Sequence, residues 1–131
     1  MSLERWIELA WEVREHAYAP YSQFRVGAVL VGSQGQCFQG CNVENLSFGL
    51  TNCAERVALG SAVAAGVREI CQVVVVADTE IPISPCGACR QVLAEFGNPE
   101  VWLVNRHRSE VFRLEDLLPR AREGILDRRG D

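Results

Sequence analysis

The sequence has no lysine: all 13 of its positive side chains are arginine. Genomic base composition and a hot habitat both produce such a bias. No stripe of these arginines dominates and the formal net charge is −4, so composition gives no support for a nucleic-acid partner. No apolar run approaches the ~20 residues of a membrane-spanning helix. The opening residues, Met1-Ser2-Leu3-Glu4-Arg5-Trp6, enter a charged amphipathic pattern directly, unlike a secretory leader. Histidine is limited to His16 and His107. There is no internal repeat and no low-complexity segment.

What is present is a chain of 131 residues, 48% of them apolar and spread along its whole length. That length predicts one domain over 1–131, and it allows roughly two-thirds of the unfolded surface to be buried. Disorder and a need for disulfides are both excluded on these grounds. The six cysteines therefore read as reduced thiols of a cytoplasmic protein. Cys37, Cys41 and Cys71 are expected to pack as small apolar groups.

Apolar residues at Leu3, Trp6, Ile7, Ala10, Trp11 and Val13 predict an amphipathic helix over residues 3–17. Val26–Val31 and Gln36–Val43 flank Gly32-Ser33-Gln34-Gly35 and predict a β-hairpin. Residues 45–52 read as a loop, with Thr51 or Asn52 as the N-cap of the next helix. That helix, Cys53–Ala65, is rich in small residues, is expected to be buried on most sides, and is capped by Gly66. The β-branched run Ile70–Ala77 predicts a central strand buried on both faces. A helix over Gly87–Phe96, strands at Val101–Val104 and Glu110–Arg113, and a helical turn at Leu114–Leu118 follow. Residues 120–131 are charged and expected to form a frayed tail. The order α-β-β-α-β-α-β-β predicts an α/β layered domain with a mixed sheet, its later strands parallel where helices link them.

Two stretches carry the chemistry: Cys53-Ala54-Glu55-Arg56, and Pro85-Cys86-Gly87-Ala88-Cys89-Arg90-Gln91. Both open helices, where free N–H groups and the helix dipole favour the thiolate. Cys86 and Cys89 are three apart and face the same way on a first turn. With Cys53 they make a three-thiolate zinc site that keeps one tetrahedral position open, as catalytic zinc does. Such a zinc lowers the pKa of bound water toward ~7, and Glu55 stands beside it as a proton carrier. Three thiolates and Zn²⁺ sum to one net negative charge, which weakens the metal as a Lewis acid. Arg56 can withdraw charge by donating to the thiolates, and Gln91 is a second candidate donor. Asn42 and Glu44, at alternate positions where a strand ends, share a face suited to gripping a diol.

These two stretches resemble cytidine deaminases of the small, all-cysteine zinc type. Ala19-Pro20-Tyr21-Ser22, Phe24-Arg25-Val26-Gly27-Ala28, Gly40-Cys41-Asn42-Val43-Glu44-Asn45 and Leu117-Leu118-Pro119 follow the family pattern in the same order and spacing, from about residue 10 to 119. The resemblance implies a three-layer α/β/α sandwich with a mixed five-stranded sheet. It implies one zinc ion per subunit and hydrolysis of a C–N bond of a cyclic amidine, turning cytidine and 2′-deoxycytidine into the uridines in pyrimidine salvage. Zinc-activated water attacks C4 of the base; Glu55 takes the water's proton, delivers it to N3, and later protonates the departing ammonia. Substrate contacts fall to Phe24, Asn42, Val43, Glu44 and Ala54: Asn42 and Glu44 bind ribose hydroxyls, Phe24 lines the pocket, and the Ala54 N–H holds the base oxygen. Backbone near Ser84 accepts from the 4-amino group. A homotetramer, with sites completed by neighbouring subunits, is implied as well.

The chain departs from the family after Leu117-Leu118-Pro119. An aromatic that stacks on the base is usual there; here Arg122 stands in its place and no aromatic follows Phe112. A guanidinium also stacks on π-faces, so Arg122 is a candidate substitute. One alternative is a zinc deaminase of another small aminopyrimidine nucleoside, such as a blasticidin S-type antibiotic; it lacks the arginine after the glutamate and the full Asn-x-Glu-Asn stretch. Deaminases of nucleotides, tRNA or DNA mostly use histidine as first ligand, and neither histidine here is near the motifs. A zinc-stabilised interaction module would need a fourth protein ligand, and no further Cys or His lies near the stretches.

Overall fold

The computed structural model describes residues 1–124. The last part of the expected frayed tail, 125–131, lies outside the described residues.

The elements follow the predicted order: α1 (Leu3–Arg14), β1 (Val26–Gly32), β2 (Cys37–Cys41), α2 (Ala54–Ala64), β3 (Ile70–Ala77), α3 (Gly87–Ala94), β4 (Glu100–Val104), β5 (Ser109–Arg113) and α4 (Leu114–Leu117). The five strands form one mixed sheet in the order β2-β1-β3-β4-β5. β1 runs antiparallel to both β2 and β3, β3 and β4 are parallel, and β5 returns antiparallel to β4. The parallel pair is the one joined through a helix, as expected.

Alternation of side chains along the strands divides the core in two. Ala28, Leu30, Val73, Val75, Val101 and Leu103 face α2, α3 and α4, where Ala54, Ala58, Ala62, Leu93 and Leu114 meet them. Val29, Val31, Val74, Val76 and Val104 face the other way, against Ala10 and flanking apolar residues of α1. This is the three-layer α/β/α sandwich. Residues Val73 to Ala77 have no exposed surface, as their unbroken β-branched run predicted for a strand covered on both sides.

The differences from the predicted boundaries have local causes. Helix α1 ends at Arg14 because Tyr18 is drawn into backbone pairing, its N–H donating to the Asn42 carbonyl at 3.0 Å. Strand β2 stops at Cys41, and Val43 pairs with Asn52 instead of continuing the hairpin. Asn52 is thereby used, and the N-cap of α2 is Cys53, not Thr51 or Asn52. The loop before α2 contains a short 3₁₀ turn at Phe48–Leu50. Gly66 closes α2 with φ +94°, the left-handed geometry glycine tolerates best. In the single chain α2 is covered on only one side: Gly60, Ser61, Ala64 and Ala65 are exposed.

Two consequences of the topology position the site. β2 and β3 both run opposite to β1, so they point the same way and end at the same edge of the sheet. Helices α2 and α3 follow those ends on the same face, so their N-termini converge. The approach of α2 to the sheet is set by Gly40, where a Cβ would lie 2.3 Å from the Ala54 carbonyl oxygen and 2.4 Å from the Ala58 nitrogen. Both obstructing atoms are backbone and cannot swing aside. Replacing Gly40 with Ala should lower stability by at least about 2 kcal/mol, read as a lower urea midpoint for the zinc-loaded protein.

Candidate active site

Cys53 and Cys86 are the N-cap residues of α2 and α3, both in extended backbone. The Cys86 Sγ accepts from the Cys89 N–H at 3.4 Å, a capping bond made by sulfur. Cys53 makes no such bond; its Sγ accepts from Arg56 Nη2 at 3.3 Å. The sulfurs are 3.8 Å apart for Cys53–Cys86 and 3.4 Å for Cys86–Cys89, and all three lie within 4.8 Å of one another. Tetrahedral zinc with bonds of about 2.3 Å places its sulfur ligands about 3.8 Å apart. The cluster therefore suits one zinc ion in both donor type and spacing. Among the described residues no fourth His, Cys, Asp or Glu joins the cluster, so these three thiols would be the ion's protein ligands.

The thiols are electrostatically unequal. The hydrogen bond from Cys89, aided by Arg56, brings Cys53 down to about 5 against the opposing effect of burial. Cys89 is pushed up by its hydrogen bond to Cys53 and by burial, so it holds the shared proton until a metal displaces it. Arg56 is held charged chiefly by the Cys53 sulfur. Among the described residues its buried Nε has no hydrogen-bond partner, while its Nη2 donates to the Cys53 sulfur.

Glu55, the second residue of α2, is only 4% exposed. Burial raises its carboxyl to about 7, with a further push from the Cys53 thiolate and a smaller pull from Arg56. A carboxyl that titrates near neutrality can both take and give a proton. It opens onto a cleft of about 260 Å³ lined by Ser22, Phe24, Val26, Asn42, Glu44, Thr51, Cys53, Ala54, Ile83, Ser84 and Cys86. Ala54 is the first residue of α2, so its N–H has no helical carbonyl to bind.

Most of the residues singled out in the sequence meet here, but their side-chain bonds differ from expectation. Asn42 is 7% exposed; its Oδ1 accepts from the Val26 N–H at 2.9 Å and its Nδ2 donates to the Phe24 carbonyl at 2.7 Å. Glu44 accepts from the Tyr21 and Ser22 N–H groups and from the Ser22 hydroxyl. The Ser22 hydroxyl is the main cause of the lowering of its pKa. Val43 is not among the cleft-lining residues; its backbone is paired with Asn52. Gln91, expected beside the thiols, uses its amide elsewhere, Nε2 donating to the Ala121 carbonyl at 3.0 Å. Arg90 fixes the same region, donating to Pro85 and Leu117 carbonyls at 2.8 and 2.7 Å. Arg122 lines a separate concavity with Ala94, Leu114, Leu118 and Ala121, away from the thiols of its own chain. Thr51 and Ile83 are cleft residues that no motif marked. Cys37, Cys41 and Cys71 are half-buried and apart from the cluster, as packing residues would be.

Comparison with known proteins agrees with this geometry. Residues 1–105 match the family described as the cytidine and deoxycytidylate deaminase zinc-binding region. The chain is 52% identical over 107 residues to a cytidine deaminase of Sporosarcina psychrophila, covering 80% of this chain and 79% of that one. It is 46% identical over 124 residues to that of Halalkalibacterium halodurans, covering 92% and 94%. The crystal structure of cytidine deaminase from Burkholderia pseudomallei superposes with a TM-score of 0.87 at 53% identity, covering 91% of this chain and 98% of that one.

The Arg56–Cys53 bond makes a measurable claim. Arg56→Gln should bind zinc roughly 10- to 100-fold more weakly than wild type, measured by competition with a chromophoric chelator. An unchanged affinity would show that Arg56 does not lower the charge of the thiolates.

Proposed function

The chain belongs to the family that carries the cytidine and deoxycytidylate deaminase zinc-binding region, and on that premise we propose that it hydrolyses cytidine and 2′-deoxycytidine to uridine and 2′-deoxyuridine. Water supplies the new oxygen at C4, and the 4-amino group leaves as ammonia. The observation that carries this reading is a buried glutamate near neutral pKa next to a three-thiol cluster, at the floor of a nucleoside-sized cleft.

Zinc, held by Cys53, Cys86 and Cys89, supplies the Lewis acidity that lets water act as a nucleophile near neutral pH. The remaining work falls to the chain. Glu55 accepts one proton of the attacking water and delivers it to N3 of the base, then takes the second from the new C4 hydroxyl and gives it to the leaving amino group, the general scheme of zinc deaminases. Its burial keeps both protonation states accessible at neutral pH. The Ala54 N–H receives the base oxygen, and Ser84 backbone the 4-amino group. Phe24 packs on the nucleoside, while Asn42 and Glu44 take the ribose hydroxyls.

The active assembly is a cytoplasmic homotetramer in this reading. Its support is exposed apolar surface: Leu46, Phe48, Leu50 and Ile81 are each more than half exposed in the single chain. The open small-residue side of α2 offers a second close-packing surface. A neighbouring subunit's tail then brings Arg122 to the base. All six cysteines are free, which fits a reducing compartment. No helix among the described residues is long and apolar enough to cross a membrane.

Glu55→Gln should retain zinc yet lose turnover by about 10²- to 10⁴-fold, followed as the fall in cytidine absorbance. Absence of turnover in zinc-loaded wild type on either nucleoside would refute the assignment. Sedimentation equilibrium should give four chains per particle, and Arg122→Ala should raise the KM for cytidine several-fold; identical kinetics would remove Arg122 from the site.

A further inference from the structure

We propose that Ser22 is a positioning residue for the sugar end of the cleft, acting through Glu44. The inference rests on the reading that Glu44 binds ribose hydroxyls, and it concerns how that carboxylate is aimed. Ser22 lies in the segment between α1 and β1, beside Gln23, whose φ of 62° turns the chain. That turn points three donors of one short segment at a single carboxylate. The Tyr21 and Ser22 N–H groups donate to Glu44 Oε1 at 3.0 and 3.1 Å. The Ser22 hydroxyl donates to Oε2.

A count of lone pairs gives these bonds a function. An ionised carboxylate has about four acceptor positions, two on each oxygen. The two N–H groups fill Oε1, and the hydroxyl takes one position on Oε2. One acceptor remains, on Oε2, and its direction is set by the Ser22 bond. The carboxylate torsion is otherwise soft, and Glu44 is only half-buried, within reach of competing water. The Ser22 hydroxyl has one hydrogen, already given to Glu44, so it has none left to donate to a substrate. It does accept, from the Phe24 N–H at 3.0 Å. The same oxygen thus ties the residue that packs on the nucleoside to the residue that receives its hydroxyls.

The test is a double-mutant cycle read on cytidine kinetics. Ser22→Ala should raise KM about five- to tenfold with kcat within about twofold of wild type, less than the full loss for one bond to a charged group because the serine acts on substrate only through Glu44. Ser22→Ala combined with Glu44→Ala should be no worse than Glu44→Ala alone, within about twofold in kcat/KM, because the serine acts through the carboxylate. Zinc content and thermal melting of each variant identify a folding defect, and a matching fall in kcat and zinc content for Ser22→Ala would assign the residue a structural role and overturn the proposal. So would an unchanged KM for Ser22→Ala, or penalties that simply add in the double variant. If Glu44→Ala itself leaves KM unchanged, the ribose role of Glu44 fails first, and the proposal falls with it for that separate reason.

Discussion

The meeting of two helix N-termini at one edge of the sheet is the constraint on which the rest of this structure depends. Three thiols brought this close repel one another once ionised. They can be held together only where positive potential surrounds them. The first turns of α2 and α3 supply part of that potential through unpaired N–H groups and the aligned peptide dipoles. Arg56 supplies more through its bond to Cys53. The arrangement is possible because β2 and β3 point the same way, so the loops leaving them arrive side by side. A ligand site outside the carboxyl ends of such strands is the general expectation for α/β sheets.

The cleft above this cluster is divided electrostatically. At its floor Glu55 is buried, and its carboxyl is raised toward neutrality. At its mouth Glu44 is half-buried and hydrogen-bonded, and its carboxyl is lowered. One environment suits a group that must exchange protons, the other a group that must stay ionised and accept hydrogen bonds. Two carboxyls pushed in opposite directions in one cleft are suited to different work.

Much of the fold was legible because its signals are local. The β-branched run of β3, the small residues of α2 and the turn residues Gly32-Ser33-Gln34-Gly35 each act within a few neighbours. Boundaries shifted where a distant partner claimed the backbone, as Asn42 does with Tyr18 and Asn52 with Val43. The thiols and Glu55 were legible too, since residue type and spacing alone limit what such a set can do. The bonding partners of Val43 and Gln91 were not legible, for the opposite reason. Their neighbours in sequence are cleft and metal residues, yet the backbone of Val43 pairs with Asn52 and the amide of Gln91 serves the tail.

By itself the sequence determined the order of the elements, an α/β layered domain with a mixed sheet, and a set of three thiols suited to one zinc ion with a glutamate beside them. These follow from periodicity, helix-start chemistry and residue type, which are properties of short stretches. Only the tertiary structure decided which carboxyl is raised and which lowered, that Arg56 faces Cys53, that Asn42 anchors Phe24 and Val26, and that Ser22 donates to Glu44. Burial and side-chain hydrogen bonding between segments far apart in the chain depend on how layers pack, and no local pattern encodes that.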